Sequence, residues 1–139
     1  MPRTKIFLDT SYVIALVNER DQYYAPAQVL SEQYETADFL VTEAVLLEIG
    51  NALCRGLKQG AVEVIQYFLA AEEVEIVPLT TGLLLEGFAL YQTYQDKEWS
   101  LVDCISFVVM RQQGIQQALT FDHHFDQAGF QRLVVGEGK

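Results

Sequence analysis

Five short apolar runs alternate with longer segments of helical periodicity, and this alternation constrains the fold of the 139-residue chain more than any other feature. Each run has four or five residues, is rich in β-branched or aromatic side chains and is bounded by polar or turn residues, as buried strands are. The predicted strands are 5–8, 38–41, 74–77, 117–121 and 132–135. The predicted helices are 11–17, 22–35, 43–58, 61–72, 82–95 and 102–113, and Gly60 and Gly114 stand at expected helix stops.

Strands that alternate with helices predict an α/β fold, because parallel neighbours need crossovers that cover both faces of the sheet. We therefore expect an α/β/α sandwich with a central, mainly parallel five-stranded sheet. The length suits one domain over residues 1–139, and the sequence contains no repeat, low-complexity tract or Pro/Gly-rich linker.

Targeting segments and cysteine chemistry are not indicated by the sequence. The apolar run before Asp9 is too short for a signal peptide, and no stretch approaches the ~20 apolar residues of a membrane span. We therefore expect a soluble, cytoplasmic protein without membrane association.

Cys54 and Cys104 fall in predicted helices among apolar neighbours and lack the Cys-x-x-Cys spacing, which predicts two buried free thiols rather than a metal site.

Aromatic residues cluster late in the chain. Trp99 is predicted to anchor the core rather than to stack on RNA bases, which would need an exposed ring. The helix at 82–95 is predicted to carry a packed face, with a dimer interface as the alternative, formed by Leu84, Phe88, Leu90, Tyr91 and Tyr94.

Four carboxylates stand in apolar surroundings, where an ionised group is costly unless a positive or hydrogen-bonding partner meets it. Asp9 and Asp122 directly follow the first and fourth predicted strands, where open α/β sheets bind their ligands. Glu48 shares the apolar stripe of the helix at 43–58, and Asp103 opens the apolar helix at 102–113. Each also has a purely structural explanation: Asp9 as a helix cap, Glu48 as a solvated edge residue and Asp103 as half of a capping box with Ser100.

Carboxylates that converge repel one another and raise one another's pKa, and a divalent cation removes that conflict. All-oxygen ligands suit Mg²⁺ or Mn²⁺, which activate water and neutralise the charge that develops on a phosphodiester. The pattern therefore indicates metal-dependent phosphodiester hydrolysis.

Adjacent His123 and His124 lack further ligands at zinc spacing, which favours an exposed or supporting role over metal binding. Asp126 lies one helical turn after Asp122 and could share its face.

Four blocks of the sequence, in this order and spacing, resemble the PIN-domain ribonucleases, and most closely the small VapC-type toxins of bacterial and archaeal toxin–antitoxin pairs. The blocks are FLDTSYVIAL, TEAVLLEIGNAL, WSLVDCISFVVM and ALTFDHHF. The resemblance implies that Asp9, Glu48, Asp103 and Asp122 are the catalytic, metal-binding acids. It implies that Asp126 assists them, as a further ligand or through metal-bound water. Thr10, Ser11 and Thr120 lie beside these acids, where they could bind a carboxylate or phosphate or act as caps.

The resemblance also implies Mg²⁺- or Mn²⁺-dependent cleavage of RNA, with tRNA or rRNA loops as substrates. It further implies a homodimer and a small antitoxin protein whose segment occupies the acidic groove. The net charge of −10 repels nucleic acid in general, so we expect either discrimination for a structured RNA loop or a strongly basic antitoxin segment. Arg55, Lys58 and Arg111 are candidates for a local basic track.

Other function classes require residues that this sequence lacks. A haloacid-dehalogenase-type phosphotransferase would need a second Asp where Ser11 stands, and a phospho-receiver domain would need an acidic neighbour of Asp9 and a late Lys. No Gly-rich phosphate loop follows any predicted strand, which disfavours a nucleotide-binding module. The remaining alternative is a non-catalytic PIN-like module that binds RNA or a protein.

Overall fold

A computed structural model describes residues 4–136 and contains a five-stranded sheet in the order β3-β2-β1-β4-β5. All four strand pairings are parallel, so the expected mainly parallel sheet is parallel throughout the described residues. The strands are β1 (Ile6–Leu8), β2 (Phe39–Thr42), β3 (Val74–Val77), β4 (Gln117–Leu119) and β5 (Gln131–Arg132).

Within the described residues, seven helices connect the strands: α1 (Thr10–Val17), α2 (Tyr24–Gln33), α3 (Glu43–Leu53), α4 (Lys58–Ala70), α5 (Thr81–Thr93), α6 (Leu101–Gln113) and α7 (His124–Gln127). Contacts link α1 to α2, α3 and α4, whereas α5 packs mainly against α6. Because crossovers between parallel strands are right-handed, these two groups cover opposite faces of the sheet. The α/β/α sandwich predicted from the sequence is confirmed.

The chain reverses its direction of travel across the sheet at β1, which lies between β2 and β4. Such a switch point opens a crevice beyond the carboxyl ends of the strands. Phe7 of β1 pairs in register with Leu40 of β2 and Ala118 of β4, and all three side chains are fully buried. The sheet therefore fixes the ends of β1 and β4 side by side.

The predicted helix at 43–58 is wrong in its last turn. The structure ends α3 at Leu53 and begins α4 at Lys58, because Gly56 adopts a left-handed φ of 83° between them. Gly60 therefore lies inside α4 rather than at a helix stop, whereas Gly114 does end α6, with a φ of 69°. The break also corrects the prediction for Cys54, which is exposed, while Cys104 is buried as expected.

The last two strands are shorter than predicted. β4 ends at Leu119 rather than at residue 121, because the Thr120 hydroxyl donates to Asp9 and the next two residues turn away from the sheet. The predicted strand at 132–135 appears instead as Gln131–Arg132, and Val134 and Val135 are exposed. The four-residue helix α7 in the preceding connection was not assigned from the sequence.

The aromatic helix α5 differs from its prediction as a packed face. Leu84, Phe88, Tyr91 and Tyr94 are all more than one-third exposed, so this side of α5 is an apolar surface. Trp99 is 5% exposed, as expected of a core anchor, and its indole N–H donates to Gln127 at 2.9 Å. Within residues 4–136, no helix is long and apolar enough to cross a bilayer.

Gly87 allows α5 to approach α6, the helix that carries Asp103. A Cβ atom at Gly87 would lie 2.5 Å from Cγ1 of Ile105 and 3.3 Å from the backbone N and Cα of Ile105. We expect Gly87→Ala to lower the free energy of unfolding by about 1–3 kcal/mol, because the two helices must separate. Urea unfolding followed by circular dichroism measures this change.

Gly50→Ala in α3 is the matched control. Its Cβ would meet only Cδ1 of Ile65, at 4.0 Å, so alanine should raise stability by up to about 1 kcal/mol through helix propensity. Equal effects at the two positions would contradict a close α5–α6 contact.

Candidate active site

A cavity of about 420 Å³ opens beyond the carboxyl ends of β1 and β4, at the switch point of the sheet. The four acids singled out in the sequence all line it, which places residues separated by more than 110 positions around one space. The lining residues are Asp9, Thr10, Ser11, Ile14, Glu48, Ala52, Glu98, Ser100, Asp103, Asp122 and His124.

Asp9 is the single residue between β1 and α1, and its side chain caps α1. Its Oδ2 accepts the backbone N–H of Ser11 at 3.3 Å, the Ser11 hydroxyl at 2.8 Å and the Thr120 hydroxyl at 2.7 Å. The side chain is buried, and its backbone N–H donates to the carbonyl of Leu119 at the end of β4. The capping role is therefore real, and the same carboxylate also faces the cavity.

The surroundings of Asp9 favour its neutral form in the absence of a cation. Burial is the largest cause and raises the pKa of Asp9 to about 6, against the opposing effect of the Thr120 and Ser11 hydrogen bonds. The negative charge of Asp103 raises the pKa further. Asp9 and Asp103 are thus close enough to interact electrostatically.

Glu48 projects from the middle of α3 at the edge of the buried stripe formed by Val45, Ile49 and Leu53. Its Oε1 accepts a hydrogen bond from the Thr10 hydroxyl at the start of α1. Burial raises the pKa of Glu48, and the charges of Asp103 and Asp122 add to that increase. The apolar neighbours that singled out Glu48 in the sequence bury one side of α3, and Glu48 at the edge of that side lines the cavity with the other acids.

Asp103 occupies the first turn of α6 and is buried. The predicted capping box is confirmed, because the Ser100 hydroxyl accepts the Asp103 N–H and Oδ2 of Asp103 accepts the Ser100 N–H, both at 3.0 Å. This box fixes the direction of the carboxylate. The structural and functional explanations for Asp103 are therefore compatible.

Asp122 follows β4 and caps the short turn into α7. Its Oδ1 accepts the backbone N–H of His124 at 2.9 Å. Nδ1 of His124 lies 3.2 Å from this oxygen and 3.0 Å from Oδ2 of Asp103. A proton on Nδ1 would let one imidazole hold both carboxylates in place.

Thr10, Ser11 and Thr120 support the acids rather than standing free. The Ser11 hydroxyl oxygen accepts the Phe121 N–H at 3.0 Å, and the Thr120 hydroxyl oxygen accepts the Asp122 N–H at 3.0 Å. Since both hydroxyls also donate to Asp9, they join the loop after β1 to the loop after β4. Thr10 supports Glu48, because its hydroxyl donates to Oε1 of that carboxylate.

Asp126 does not join the other acids, which corrects its expected position beside Asp122. Its carboxylate forms a bidentate ion pair with Arg132, with Nε at 3.0 and 2.9 Å from the two oxygens. It is absent from the residues that line the cavity. The short helix α7 and the return into β5 turn this side chain toward the sheet edge.

One charged lining residue was not predicted from the sequence. Glu98 is exposed and lies in a polar segment, where nothing distinguishes it from a solvated charge. His124 was expected to be exposed or supporting, and it is in fact partly buried against two acids. The available signal was that neighbouring side chains in a loop point in different directions. His123 faces solvent, and His124 therefore points toward the acids.

The donors around the cavity fit a divalent cation. Carboxylate oxygens predominate, and burial together with the negative charges of Asp103 and Asp122 makes ionised Asp9 and Glu48 costly, a cost that a cation would relieve. One other group of possible ligands adjoins them: the ligand atoms of Asp122, His123 and His124 lie within 4.8 Å of one another. That group is at the exposed rim, and Nδ1 of His124 already contacts carboxylates.

The burial of Asp9 predicts a pH-dependent penalty in metal-free protein. Because its folded pKa exceeds the usual value of about 3.9, stability is full below that value and falls as the pH rises through about 6. We expect Asp9→Asn to be more stable than the parent protein by about 1–3 kcal/mol at pH 7.5 in EDTA, and the difference to vanish near pH 4.

Thermal unfolding at a series of pH values measures this difference, and Mg²⁺ or Mn²⁺ should raise the melting temperature of the parent protein only. Glu75→Gln, at an exposed acid paired with Lys5, is the control and should show neither effect. A pH-independent difference for Asp9→Asn would refute the burial penalty.

Comparisons with known proteins agree with the resemblance of the four sequence blocks. A model of the PIN domain family matches residues 6–131. The 23S rRNA-specific endonuclease VapC20 of Mycobacterium tuberculosis is 31% identical over 125 residues, which cover 90% of this chain and 95% of that protein.

Solved structures show the same relationship. The crystal structure of M. tuberculosis VapC20, a sarcin–ricin-loop-cleaving toxin, has a TM-score of 0.84 at 29% identity and covers 94% of this chain and 99% of its own. FitAcB from Neisseria gonorrhoeae shares the fold, with a TM-score of 0.60 at 14% identity over 92% of this chain and 96% of its own. The chain belongs to the PIN-domain family.

Proposed function

We propose that this protein is a Mg²⁺- or Mn²⁺-dependent endoribonuclease and the toxin component of a toxin–antitoxin pair. The observation that carries the proposal is the convergence of Asp9, Glu48, Asp103 and Asp122 on one cavity at the switch point of the sheet. Family membership supports it, because the relative that covers most of the chain is named an rRNA-specific endonuclease.

The four acids divide into two pairs by their surroundings. Asp9 and Asp103 are buried and held by fixed hydrogen bonds, so they are the rigid ligands for the cation. Glu48 and Asp122 are more exposed and complete the acidic lining. A bound divalent cation would supply water of lowered pKa and positive charge toward the scissile phosphate.

Glu48 is only partly buried and can exchange a proton with water in the cavity. Its raised pKa brings it closer to the working pH than an exposed glutamate, which favours general acid–base catalysis. The Thr10 hydroxyl holds Oε1 and thereby orients the carboxylate. His124 is a positioning residue, since its contacts are with Asp103 and Asp122.

The substrate is proposed from the relatives. VapC20 is named for 23S rRNA and for the sarcin–ricin loop, so a hairpin with that loop is the first RNA to test. A defined loop suits a strongly acidic protein, because general affinity for RNA backbone is low at a net charge of −10. The reaction would then take place on ribosomes in the cytoplasm.

We propose two protein partners. A small antitoxin with a basic segment would be attracted by the net charge and by the acidic cavity. A second copy of the chain would cover the apolar side of α5, where Leu85 and Phe88 are 60% and 44% exposed. Both follow expectations from the family resemblance.

The direct test is cleavage of the hairpin by purified protein in Mg²⁺, Mn²⁺ or EDTA. We expect discrete fragments with either metal and none with EDTA. Asp103→Asn and Glu48→Gln should each lower the rate by about 10²–10³-fold or more, because each removes a negative charge from the proposed cation site. Gel electrophoresis of the end-labelled RNA measures the rate and the position of the cut.

Glu75→Gln is the matched acid-to-amide control and should cleave at the parent rate, since this exposed residue lies on β3 outside the cavity. Intact RNA under every condition, together with tight binding, would favour the non-catalytic PIN-like module. Cleavage that persists in EDTA would contradict the metal-dependent reaction.

A further inference from the structure

We propose that a basic cavity formed by Arg20 and Arg55 binds a backbone phosphate of the RNA on one side of the cleaved bond. This inference rests on the proposed ribonuclease activity and adds to it a positioning site made by this chain's own residues. The charged side chains of the acid cavity are mainly carboxylates, and the cation proposed there serves the scissile phosphate, so a neighbouring phosphate of the strand requires a separate anchor.

The basic side chains of the described residues fall into two groups. Lys5, Lys97 and Arg132 each form an ion pair with a carboxylate, and Arg111 donates to the Ala128 carbonyl and lies over the Phe130 ring. Between residues 4 and 136, the cations without a carboxylate within 4.0 Å or a side-chain hydrogen bond are Arg20, Arg55 and Lys58. All three are exposed.

These unpaired cations are not scattered over the surface. Arg20 and Arg55 line one cavity of about 540 Å³, between the end of α1 and the break after α3, and Lys58 begins α4 next to the lining residue Leu57. Gly56 supplies the turn that separates α3 from α4. One carboxylate, that of Glu19, also lines the cavity, so its walls carry a net positive charge.

The positions of these cations are not explained by helix stability. Lys58 stands in the first turn of α4, where the helix dipole disfavours a positive charge. Arg111, which the sequence grouped with Arg55 and Lys58, lies instead at the far end of α6 with its own partners. The basic track expected from the sequence is therefore shorter than predicted and includes Arg20, which was not predicted.

The basic cavity continues the acid cavity along the surface between α1 and α3, which contact each other. Ile14 and Ala52 line the acid cavity, and Val17 and Arg55, three positions later on each segment, line the basic one. Three residues of helix advance about 4.5 Å, and the five from Glu48 to the end of α3 at Leu53 about 7.5 Å, with Arg55 two residues beyond. A stacked strand advances about 3.4 Å per nucleotide, so roughly one to three nucleotides would span the two cavities.

Phosphate is the ligand that this chemistry selects. Guanidinium groups bind phosphate oxygens with paired hydrogen bonds, and both arginines have all their donors available. On a surface that otherwise repels RNA, two unpaired arginines beside the acids would define the direction in which the strand crosses the site. Base identity would be read elsewhere, because phosphate contacts carry no sequence information.

The test uses the intact protein and a fluorescent sarcin–ricin-loop hairpin. Arg20→Ala and Arg55→Ala should each raise Kd in EDTA, measured by anisotropy, and KM in Mn²⁺ by about 3–10-fold, with kcat within about twofold of the parent. Each should also reduce the slope of log Kd against log salt by about 0.7, the value for one phosphate contact on a single strand. Arg55→Lys should retain part of the affinity.

Lys5→Ala is the matched control, because it removes the same charge at the amino end of the central strand β1, at a residue that lines neither cavity. Arginine variants that match Lys5→Ala in Kd, KM and salt slope would overturn the phosphate site while leaving the nuclease intact. A fall in kcat at unchanged KM would also overturn it. A parent protein that neither binds nor cleaves the hairpin would overturn both this inference and the proposed function.

Discussion

The carboxylate of Asp9, buried at the junction of β1 and α1, is the interaction on which the rest of the site depends. One of its oxygens accepts three hydrogen bonds, from the Ser11 N–H and from the hydroxyls of Ser11 and Thr120. Thr120 follows β4, so this single group ties together the ends of two neighbouring strands. Asp122 is fixed through the same network, because its N–H donates to Thr120.

The electrostatic cost of this arrangement supports the proposed cation. A buried carboxylate is stabilised by three donors and still has a pKa raised to about 6, with Asp103 nearby adding to the rise. Glu48 meets the same conditions at the end of its hydrogen bond from Thr10. Because the fold holds these acids in fixed positions, the divalent cation proposed above would relieve this electrostatic cost when it binds.

The sequence predicted the sheet and the four acids because each leaves a local signal: short apolar runs for strands and charges in apolar company for the site. It could not predict Glu98 or Arg20, whose neighbours are polar and whose roles depend on tertiary position. The break at Gly56 was missed because the helical periodicity of 43–58 continues through it, and Asp126 was misplaced because its partner Arg132 comes from β5. Local sequence patterns thus predicted the strands and the acids in apolar surroundings. Tertiary packing determines which side chains come together in one cavity.

Anomalous diffraction from a crystal soaked in Mn²⁺ tests the central claim most directly, because it locates the cation without reference to activity. The account predicts a peak inside the acid cavity, coordinated by oxygens of Asp9 and Asp103, with Glu48 and Asp122 as direct ligands or bound through water. A peak held only by Asp122, His123 and His124 at the rim would contradict it. So would a fully soaked crystal with no peak in the cavity.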